Sequence, residues 1–318
     1  MKYAFDPEFA PLLDSMPVIS MEDPAAARSS MDEMIQGLNA DLDLAGVVIE
    51  NRLIGGPAGA PDIPLRIYSP QGLSNPVPAL LYLHGGGFVL GNLDSEHSNC
   101  VALCRDLGIV LVSVDYRLAP ETPYPNGLED CYVALEWTAA QAAALHIDSQ
   151  RLGVMGSSAG GGLAAATALL ARDRNGPVLC FQYLGIPELD DRLHTPSMEQ
   201  FVDTPLWNRP SAEWSWDYYL GNNWRRGGDT VPYYAAPARA GSENLAGLPP
   251  AHVTTMEFDP LRDEGILYAL SMMQAGVSVE LHSYPGTFHG SSLMSFAQVS
   301  QREATEMRLS LRRGLMVD

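Results

Sequence analysis

The sequence predicts an α/β protein in which a mostly parallel central sheet is flanked by helices. Nearly continuous apolar runs, such as 79–84 and 109–115, alternate with stretches of helical periodicity. Continuous apolar runs are typical of strands that are covered on both faces. Since strands that alternate with helices form βαβ units, this alternation predicts a doubly wound sheet.

Strand and helix patterns follow one another from residue 47 to residue 313. The first two strands alternate with a period of two on either side of Gly55-Gly56-Pro57, which indicates an antiparallel pair. The predicted strands are 47–53, 63–69, 79–84, 109–115, 151–155, 178–184, 251–258 and 277–284. The predicted helices are 101–107, 128–144, 163–171, 263–275 and 302–313.

The segment before residue 46 is predicted to be helical and amphipathic. Asp23-Pro24 has the pattern of an N-cap followed by proline at the first helical position. Apolar residues then recur at helical spacing, namely Met31, Met34, Ile35 and Leu38. Two hypotheses remain open for this apolar face: a surface that docks on the main body, or a lid over a pocket.

A second segment, 188–248, interrupts the alternation. It contains four of the five tryptophans, Trp207, Trp214, Trp216 and Trp224. This concentration predicts an inserted helical cap whose rings line an apolar pocket, although a satellite core without a ligand would have the same composition. We therefore expect a catalytic domain made of 46–187 and 249–318 and a cap region made of 1–45 and 188–248.

The composition argues against several classes of partner. A formal charge of −19 on 318 residues disfavours nucleic acid and anionic membrane surfaces. No apolar window approaches the about 20 residues of a membrane span, and the first residues lack a signal-peptide pattern. The four cysteines have neither C-x-x-C nor zinc-ligand spacing, so we expect reduced thiols, no metal and a cytoplasmic location.

A nucleophile elbow is predicted at Gly156-Ser157-Ser158-Ala159-Gly160, which fits the pattern G-x-S-x-G. The pattern lies between an apolar run at 152–155 and strong helix formers at 163–171. A sharp turn between strand and helix projects the central hydroxyl from the top of the sheet, and the flanking glycines allow close packing. Ser158 is therefore the predicted nucleophile.

A glycine-rich loop, His84-Gly85-Gly86-Gly87-Phe88, follows the predicted strand 79–84. Consecutive glycines allow backbone N–H groups to point into a cavity without a side chain in the way. We predict that Gly85, Gly86 and the N–H of Ala159 form an oxyanion hole. The alternatives are a plain turn or a phosphate loop, but the Gly-Lys-Ser/Thr sequence of a phosphate loop does not follow.

A serine hydroxyl needs a base that takes its proton, and the base needs a third group that fixes its tautomer. His289 is the predicted base, because a strand and a Pro-Gly turn precede it and would bring it to the carboxyl edge of the sheet. Asp259 is the predicted third group, because it ends an apolar strand. Asp263 and Glu264 suit the start of the next helix instead, where negative charge is favourable.

These motifs resemble those of the hormone-sensitive-lipase family of α/β-hydrolases, the bacterial family IV carboxylesterases. The matching pieces are His84-Gly-Gly-Gly-Phe88, Asp115-Tyr-Arg-Leu-Ala-Pro-Glu121, Gly156-Ser-Ser-Ala-Gly-Gly161, Asp259-Pro-Leu-Arg-Asp-Glu-Gly265 and His289-Gly290. The resemblance implies the α/β-hydrolase fold, the triad of Ser158, Asp259 and His289, and catalysis without a cofactor. It also implies a cap built from the N-terminal segment and the insertion after the sixth strand.

One position departs from the family pattern. The residue before the nucleophile, commonly Asp or Thr in this family, is Ser157, whose shorter side chain could loosen the support of the elbow. The segment 115–121 is interpreted as architectural. Tyr116 and Arg117 follow a strand directly, where a buried ion pair or hydrogen bond would hold the loop beside the active site.

The predicted function is a serine carboxylesterase that hydrolyses small-molecule esters of short to medium acyl chain through an acyl-enzyme. Phe88, Trp207 and Trp214 are the side chains expected to contact the substrate. An acyltransferase or an amidase would use the same triad, and a ligand-binding receptor on this scaffold is a further alternative. A homodimer through an exposed edge strand is also compatible with the sequence.

Overall fold

An eight-stranded sheet forms the centre of the computed structural model, which describes residues 2–13, 16 and 20–317. The strands are β1 (Val47–Ile54), β2 (Ile63–Pro70), β3 (Val77–Leu83), β4 (Val110–Val114), β5 (Ile147–Ser157), β6 (Phe181–Gly185), β7 (Ala251–Phe258) and β8 (Val279–Phe288). They lie side by side in the order β1-β2-β4-β3-β5-β6-β7-β8. β4 lies on one side of β3, and β5 to β8 follow on the other side. The direction in which successive strands are added therefore reverses at β3, near the middle of the sheet.

The strand pairing confirms the predicted antiparallel start and the predicted mostly parallel sheet. β1 pairs antiparallel with β2 and β2 with β4, whereas the other neighbours are parallel. Leu81 on β3 lies opposite Val112 on one side and Val154 on the other, and all three are fully buried. Because parallel strands share a carboxyl edge, the loops that follow β3, β5, β7 and β8 meet there.

Helices cover both faces of the sheet. They are α1 (Ala10–Leu13), α2 (Pro24–Asn39), α3 (His97–Leu107), α4 (Asn126–Ala140), α5 (Ala159–Asp173), α6 (Pro196–Gln200), α7 (Arg209–Leu220), α8 (Arg262–Gln274) and α9 (Gln298–Gly314). Residues of α3 and α9 pack in a core on one face, and residues of α4, α5 and α8 pack in a larger core on the other. Within the described residues, no helix is long and apolar enough to cross a membrane.

Three strands differ from their predicted bounds by three residues or more at one end. β5 begins at Ile147, which is buried and pairs with Val77, four residues before the predicted start at 151. β6 begins at Phe181 rather than at 178, because Val178 is exposed and lies outside the ladder. β8 continues to Phe288 through the predicted turn, with an irregular register opposite β7 that accommodates the extra residues.

The N-terminal helix α2 is fixed to the loops at the carboxyl edge of the sheet. The Asp23 carboxylate accepts hydrogen bonds from Ala25 N and Ala26 N, at 3.0 and 3.1 Å, so the predicted N-cap is present. Arg28 of α2 donates to Val89 O over 2.8 Å and pairs with Glu121 over 2.7 Å. These contacts place the apolar side of α2 beside the glycine-rich loop.

Candidate active site

Ser158 lies in a sharp turn between β5 and α5. Its φ of 59° and ψ of −125° are outside the regions that L-residues commonly adopt, as a nucleophile elbow requires. Ser158 N donates to Gly185 O over 2.8 Å, which ties the turn to β6. A Cβ at Gly160 would lie 2.1 Å from the Leu83 carbonyl oxygen, so the approach of helix to strand requires glycine there.

The structure brings the three predicted triad residues together, although they are far apart in the sequence. Ser158 Oγ donates to His289 Nε2 over 3.0 Å, and His289 Nδ1 donates to Asp259 Oδ2 over 2.7 Å. Asp259 Oδ1 accepts from Leu261 N over 2.9 Å, which fixes the carboxylate. All three side chains are buried. This geometry allows His289 to take the Ser158 proton while Asp259 holds the imidazole tautomer.

The glycine-rich loop after β3 lies beside the nucleophile. Gly85 and Gly86 line the cavity that contains Ser158, and a Cβ at Gly85 would lie 3.5 Å from Ser158 Cβ. Gly86 has a φ of +118°, which favours glycine. Ala159 is the first residue of α5, so its N–H has no partner within the helix. The arrangement is compatible with the three predicted oxyanion donors.

Tyr116 and Arg117 hold the loops around the site, as the sequence predicts. Tyr116 Oη donates to His84 O over 2.7 Å, and the two rings stack with centroids 4.2 Å apart. Burial lowers the pKa of His84 to about 4, so the ring is neutral at neutral pH. Arg117 forms a bidentate ion pair with buried Asp130, with N–O distances of 2.7 and 2.8 Å.

Replacing Asp130 with asparagine is expected to lower the free energy of unfolding by about 3 kcal/mol, because the mostly buried Arg117 loses its carboxylate partner. Asp148→Asn is a matched control, since Asp148 pairs with Arg151 over 2.8 Å at the surface. The control is expected to cost less than about 1 kcal/mol. Denaturant unfolding of both variants measures the difference, and equal losses would contradict the architectural role.

A cavity of about 530 Å³ opens above the triad, a size suited to a small organic ligand. Much of its apolar lining comes from α2 and the residues just before it, from the loop after β6 and from the segment before α7. These side chains are Met21, Met31, Met34, Ile35, Leu38, Ile186, Leu206 and Trp207. The apolar stripe of α2 therefore faces the cavity, as the lid hypothesis requires.

The structure brings one of the three predicted substrate contacts to this cavity. Trp207 lines it, and its ring centroid lies 5.7 Å from that of His289. The prediction that Phe88 contacts the substrate is corrected, because its ring is buried and stacks on Tyr219 with centroids 3.9 Å apart. The same prediction for Trp214 is also corrected. Trp214 is 40% exposed and lies outside the cavity lining, since the helix turns it away from the core.

The sequence gives no signal for a buried link between α7 and the glycine-rich loop. Ser215 Oγ lies 3.0 Å from Gly87 O and 2.9 Å from Glu188 Oε1. Burial raises the pKa of Glu188 to about 8, so this carboxyl is mainly protonated at neutral pH. Glu188 can then donate to Ser215 while Ser215 donates to Gly87. Serine and glutamate at these positions belong to no motif, and only the packing reveals them.

The alternative candidates for the acid and the base of the triad lie elsewhere. Asp263 accepts from Ser197 N over 2.7 Å at the start of α8, as expected for a residue in the first turn. His282 Nδ1 lies 2.9 Å from Glu306 Oε2, outside the cavity lining. In the part of the chain that the structure describes, no group of His, Cys, Asp or Glu could hold a metal ion.

Comparison with known proteins identifies the family. A family model described as alpha/beta hydrolase fold matches residues 80–293, more than half of the chain. The chain belongs to the hormone-sensitive-lipase-like α/β-hydrolases. Carboxylesterase NlhH of Mycobacterium tuberculosis is 38% identical over 313 residues, which cover 98% of this chain and 96% of that protein. Ethyl acetate hydrolase of Pseudomonas putida is 36% identical over 255 residues, which cover 74% and 78%.

Solved structures of this α/β-hydrolase family superpose closely on the chain. A bacterial heroin esterase matches with a TM-score of 0.96 and 50% identity, over 98% of both chains. An esterase of Pyrobaculum calidifontis matches with a TM-score of 0.88 and 31% identity, over 99% of this chain and all of the other. The predicted family and the predicted α/β-hydrolase fold are therefore confirmed.

Proposed function

We propose that this α/β-hydrolase is a serine carboxylesterase that hydrolyses esters of short to medium acyl chain through an acyl-enzyme. The observation that carries the proposal is the chain of hydrogen bonds from Ser158 through His289 to Asp259, at the base of a largely apolar cavity. The relatives support it, because those named above are carboxylesterases, esterases or an ester hydrolase.

The geometry supports the following reaction. Ser158 Oγ attacks the ester carbonyl carbon while His289 Nε2 takes the hydroxyl proton. The negative charge on the carbonyl oxygen is stabilised by the N–H groups of Gly85, Gly86 and Ala159. His289 returns the proton to the departing alcohol, and the acyl group remains on Ser158. His289 then takes a proton from water, whose oxygen attacks the acyl carbon. The bond from Ser158 Oγ to the acyl carbon breaks, His289 Nε2 returns the proton to Ser158 Oγ, and the carboxylic acid is released.

The cavity and the two segments around it support a division of the chain into a catalytic domain and a cap. We propose that 46–187 and 249–318 form the catalytic domain, and that 1–45 and 188–248 form a cap over it. The apolar stripe of α2 and the ring of Trp207 are then walls of the substrate cavity. We further propose a cytoplasmic protein without a nucleic-acid partner, and a homodimer through a sheet edge, for which β1 and β8 are available.

A fluorophosphonate probe tests the proposal directly. We expect stoichiometric labelling at Ser158, located by mass spectrometry of the peptides, because only an activated serine attacks such a probe. The unlabelled enzyme should hydrolyse p-nitrophenyl esters from acetate to dodecanoate, with the longest acyl chains the poorest substrates. Labelling should abolish the hydrolysis of all of them. An unlabelled Ser158 would favour a ligand-binding receptor. Transfer of the acyl group to an added alcohol or amine in preference to water would favour an acyltransferase.

A further inference from the structure

A buried residue after β6 connects the elbow of Ser158 to the glycine-rich loop. Glu188 N donates to Ser158 O over 3.0 Å, which fixes the backbone of Glu188 to the elbow. A Cβ at Gly162 would lie 2.1 Å from Glu188 O, so α5 packs directly on this segment. The Glu188 side chain contacts Ser215 of α7, and Ser215 contacts Gly87 O. Glu188 therefore contacts the elbow with its backbone and, through one serine, the glycine-rich loop with its side chain.

The number of hydrogens around Ser215 requires a proton on Glu188. Ser215 Oγ lies 2.9 Å from Glu188 Oε1 and 3.0 Å from Gly87 O, and its hydroxyl carries a single hydrogen. Because a carbonyl oxygen cannot donate, both contacts are hydrogen bonds only when Glu188 donates to Ser215 and Ser215 donates to Gly87. Glu188 is fully buried, and within the described residues its Oε2 has no hydrogen-bond partner. Such surroundings favour the neutral carboxyl over the carboxylate.

The titratable groups that face Glu188 from neighbouring elements of the described chain are all acidic. Asp259 follows β7, Glu264 belongs to α8 and Tyr219 belongs to α7. Burial and, to a smaller extent, the Asp259 carboxylate raise the pKa of Glu188 to about 8. Burial is also the main cause that raises the pKa values of Glu264 and Tyr219, and Glu188 contributes to both. Glu188 is therefore neutral at neutral pH and loses its proton as the pH rises through about 8.

The link from α7 reaches the loop next to a proposed oxyanion donor. Gly87 directly follows Gly86, whose N–H is one of these donors in the proposed reaction. The next residue, Phe88, stacks on Tyr219 of α7 with ring centroids 3.9 Å apart. α7 thus holds two consecutive residues of the loop, Gly87 by a hydrogen bond and Phe88 by apolar packing. The hydrogen bond depends on the proton of Glu188, whereas the packing does not.

We propose that Glu188 is a positioning residue whose protonated carboxyl, acting through Ser215, holds the glycine-rich loop with its N–H groups directed at the carbonyl oxygen of the ester. This role rests on the proposed esterase function. When Glu188 loses its proton, the carboxylate accepts the hydrogen of Ser215, and Gly87 O loses its donor. The loop is then held less firmly, so stabilisation of the oxyanion weakens. Glu188 takes no part in proton transfer to or from the substrate.

The dependence of kcat on pH tests this role. The substrate is ethyl butyrate, and the released acid is followed by pH-stat titration. We expect kcat to fall with an apparent pKa of about 8. At about pH 9.5 it should be about tenfold lower than at neutral pH, less than the about 10²-fold or more of losing a complete oxyanion donor. Return to neutral pH should restore the rate, and a wild-type kcat that stays constant over this range would overturn the role.

Glu188→Gln separates the charge from the hydrogen bond. The glutamine NH₂ group can donate to Ser215 at any pH, so the ratio of kcat at about pH 9.5 to kcat at neutral pH should rise from about 0.1 to about 1. Glu188→Leu removes the donor and should have about tenfold lower kcat than Glu188→Gln at neutral pH. Glu303→Gln is the matched control, because Glu303 lines the active-site cavity and burial raises its pKa to about 8 as well. An alkaline fall that persists in Glu188→Gln, or vanishes in Glu303→Gln, would contradict the role.

Ser215→Ala tests the route through the loop. Gly87 O then lacks its donor at any pH, so kcat should be about tenfold lower at neutral pH and should change little up to about pH 9.5. KM should change less, because the oxyanion exists only in the transition state. Ser211→Ala is the control on the same helix, since Ser211 bonds to Asn208, and it should keep the alkaline fall. The same fall in Ser215→Ala would show that the charge of Glu188 acts directly, against the proposed route.

The wild-type enzyme separates this role from the esterase function itself. Hydrolysis without an alkaline fall would overturn the role of Glu188 alone. Failure to hydrolyse any ester at neutral pH would overturn the esterase proposal and, with it, this role.

Discussion

Ser158→Ala is expected to lower kcat for p-nitrophenyl acetate by about 10⁶-fold, the cost of removing the nucleophile of a serine hydrolase. The reason is geometric, since Ser158 Oγ is the oxygen that lies 3.0 Å from His289 Nε2 at the base of the cavity. Without that oxygen no acyl-enzyme forms, and the remaining N–H groups can only polarise the ester for attack by water. Steady-state release of p-nitrophenol measures the loss.

Ser271→Ala is the matched control for this variant. Ser271 lies on α8, where its Oγ donates to Leu267 O over 2.9 Å within the same helix. Both variants should unfold at temperatures close to that of the wild type, because each removes one hydroxyl group. Wild-type rates in Ser158→Ala, with the substitution verified by mass spectrometry, would show that another residue is the nucleophile.

Features with a local signature could be predicted from the sequence. The elbow at Ser158 needs a strand, a turn of small residues and a helix in immediate succession, and all three can be read within about 20 residues. The roles of Asp259 and His289 follow from the parallel sheet, because residues after parallel strands meet at one edge. The structure places both within hydrogen-bond reach of the expected partners.

Features that depend on tertiary packing could not be predicted. Trp207 and Trp214 both lie in an aromatic-rich segment, yet one ring lines the cavity and the other is exposed. Composition cannot show which side of a cap element faces the substrate. Glu188 and Ser215 lie 27 residues apart in the sequence, and only the packing of α7 beside the glycine-rich loop brings them within hydrogen-bond distance.

Asp259→Asn is expected to lower kcat about 10⁴-fold at neutral pH while the positions of the side chains are preserved. Asp259 Oδ2 accepts from His289 Nδ1 over 2.7 Å, and Oδ1 accepts from Leu261 N over 2.9 Å. An asparagine that keeps the second bond must point its NH₂ group at His289 Nδ1. The imidazole then carries its proton on Nε2, where it can no longer accept the proton of Ser158.

The control for this variant is Asp263→Asn, four residues further along the chain. Asp263 Oδ2 accepts from Ser197 N over 2.7 Å, and its Oδ1 pairs with Arg262 over 2.8 Å, so it has no contact with His289. Its substitution should change stability more than kcat. A large loss of kcat in Asp263→Asn with little loss in Asp259→Asn would reverse the two roles. The two tautomers of His289 differ in which ring nitrogen carries the proton. NMR of these nitrogens should therefore show the opposite tautomer in Asp259→Asn alone.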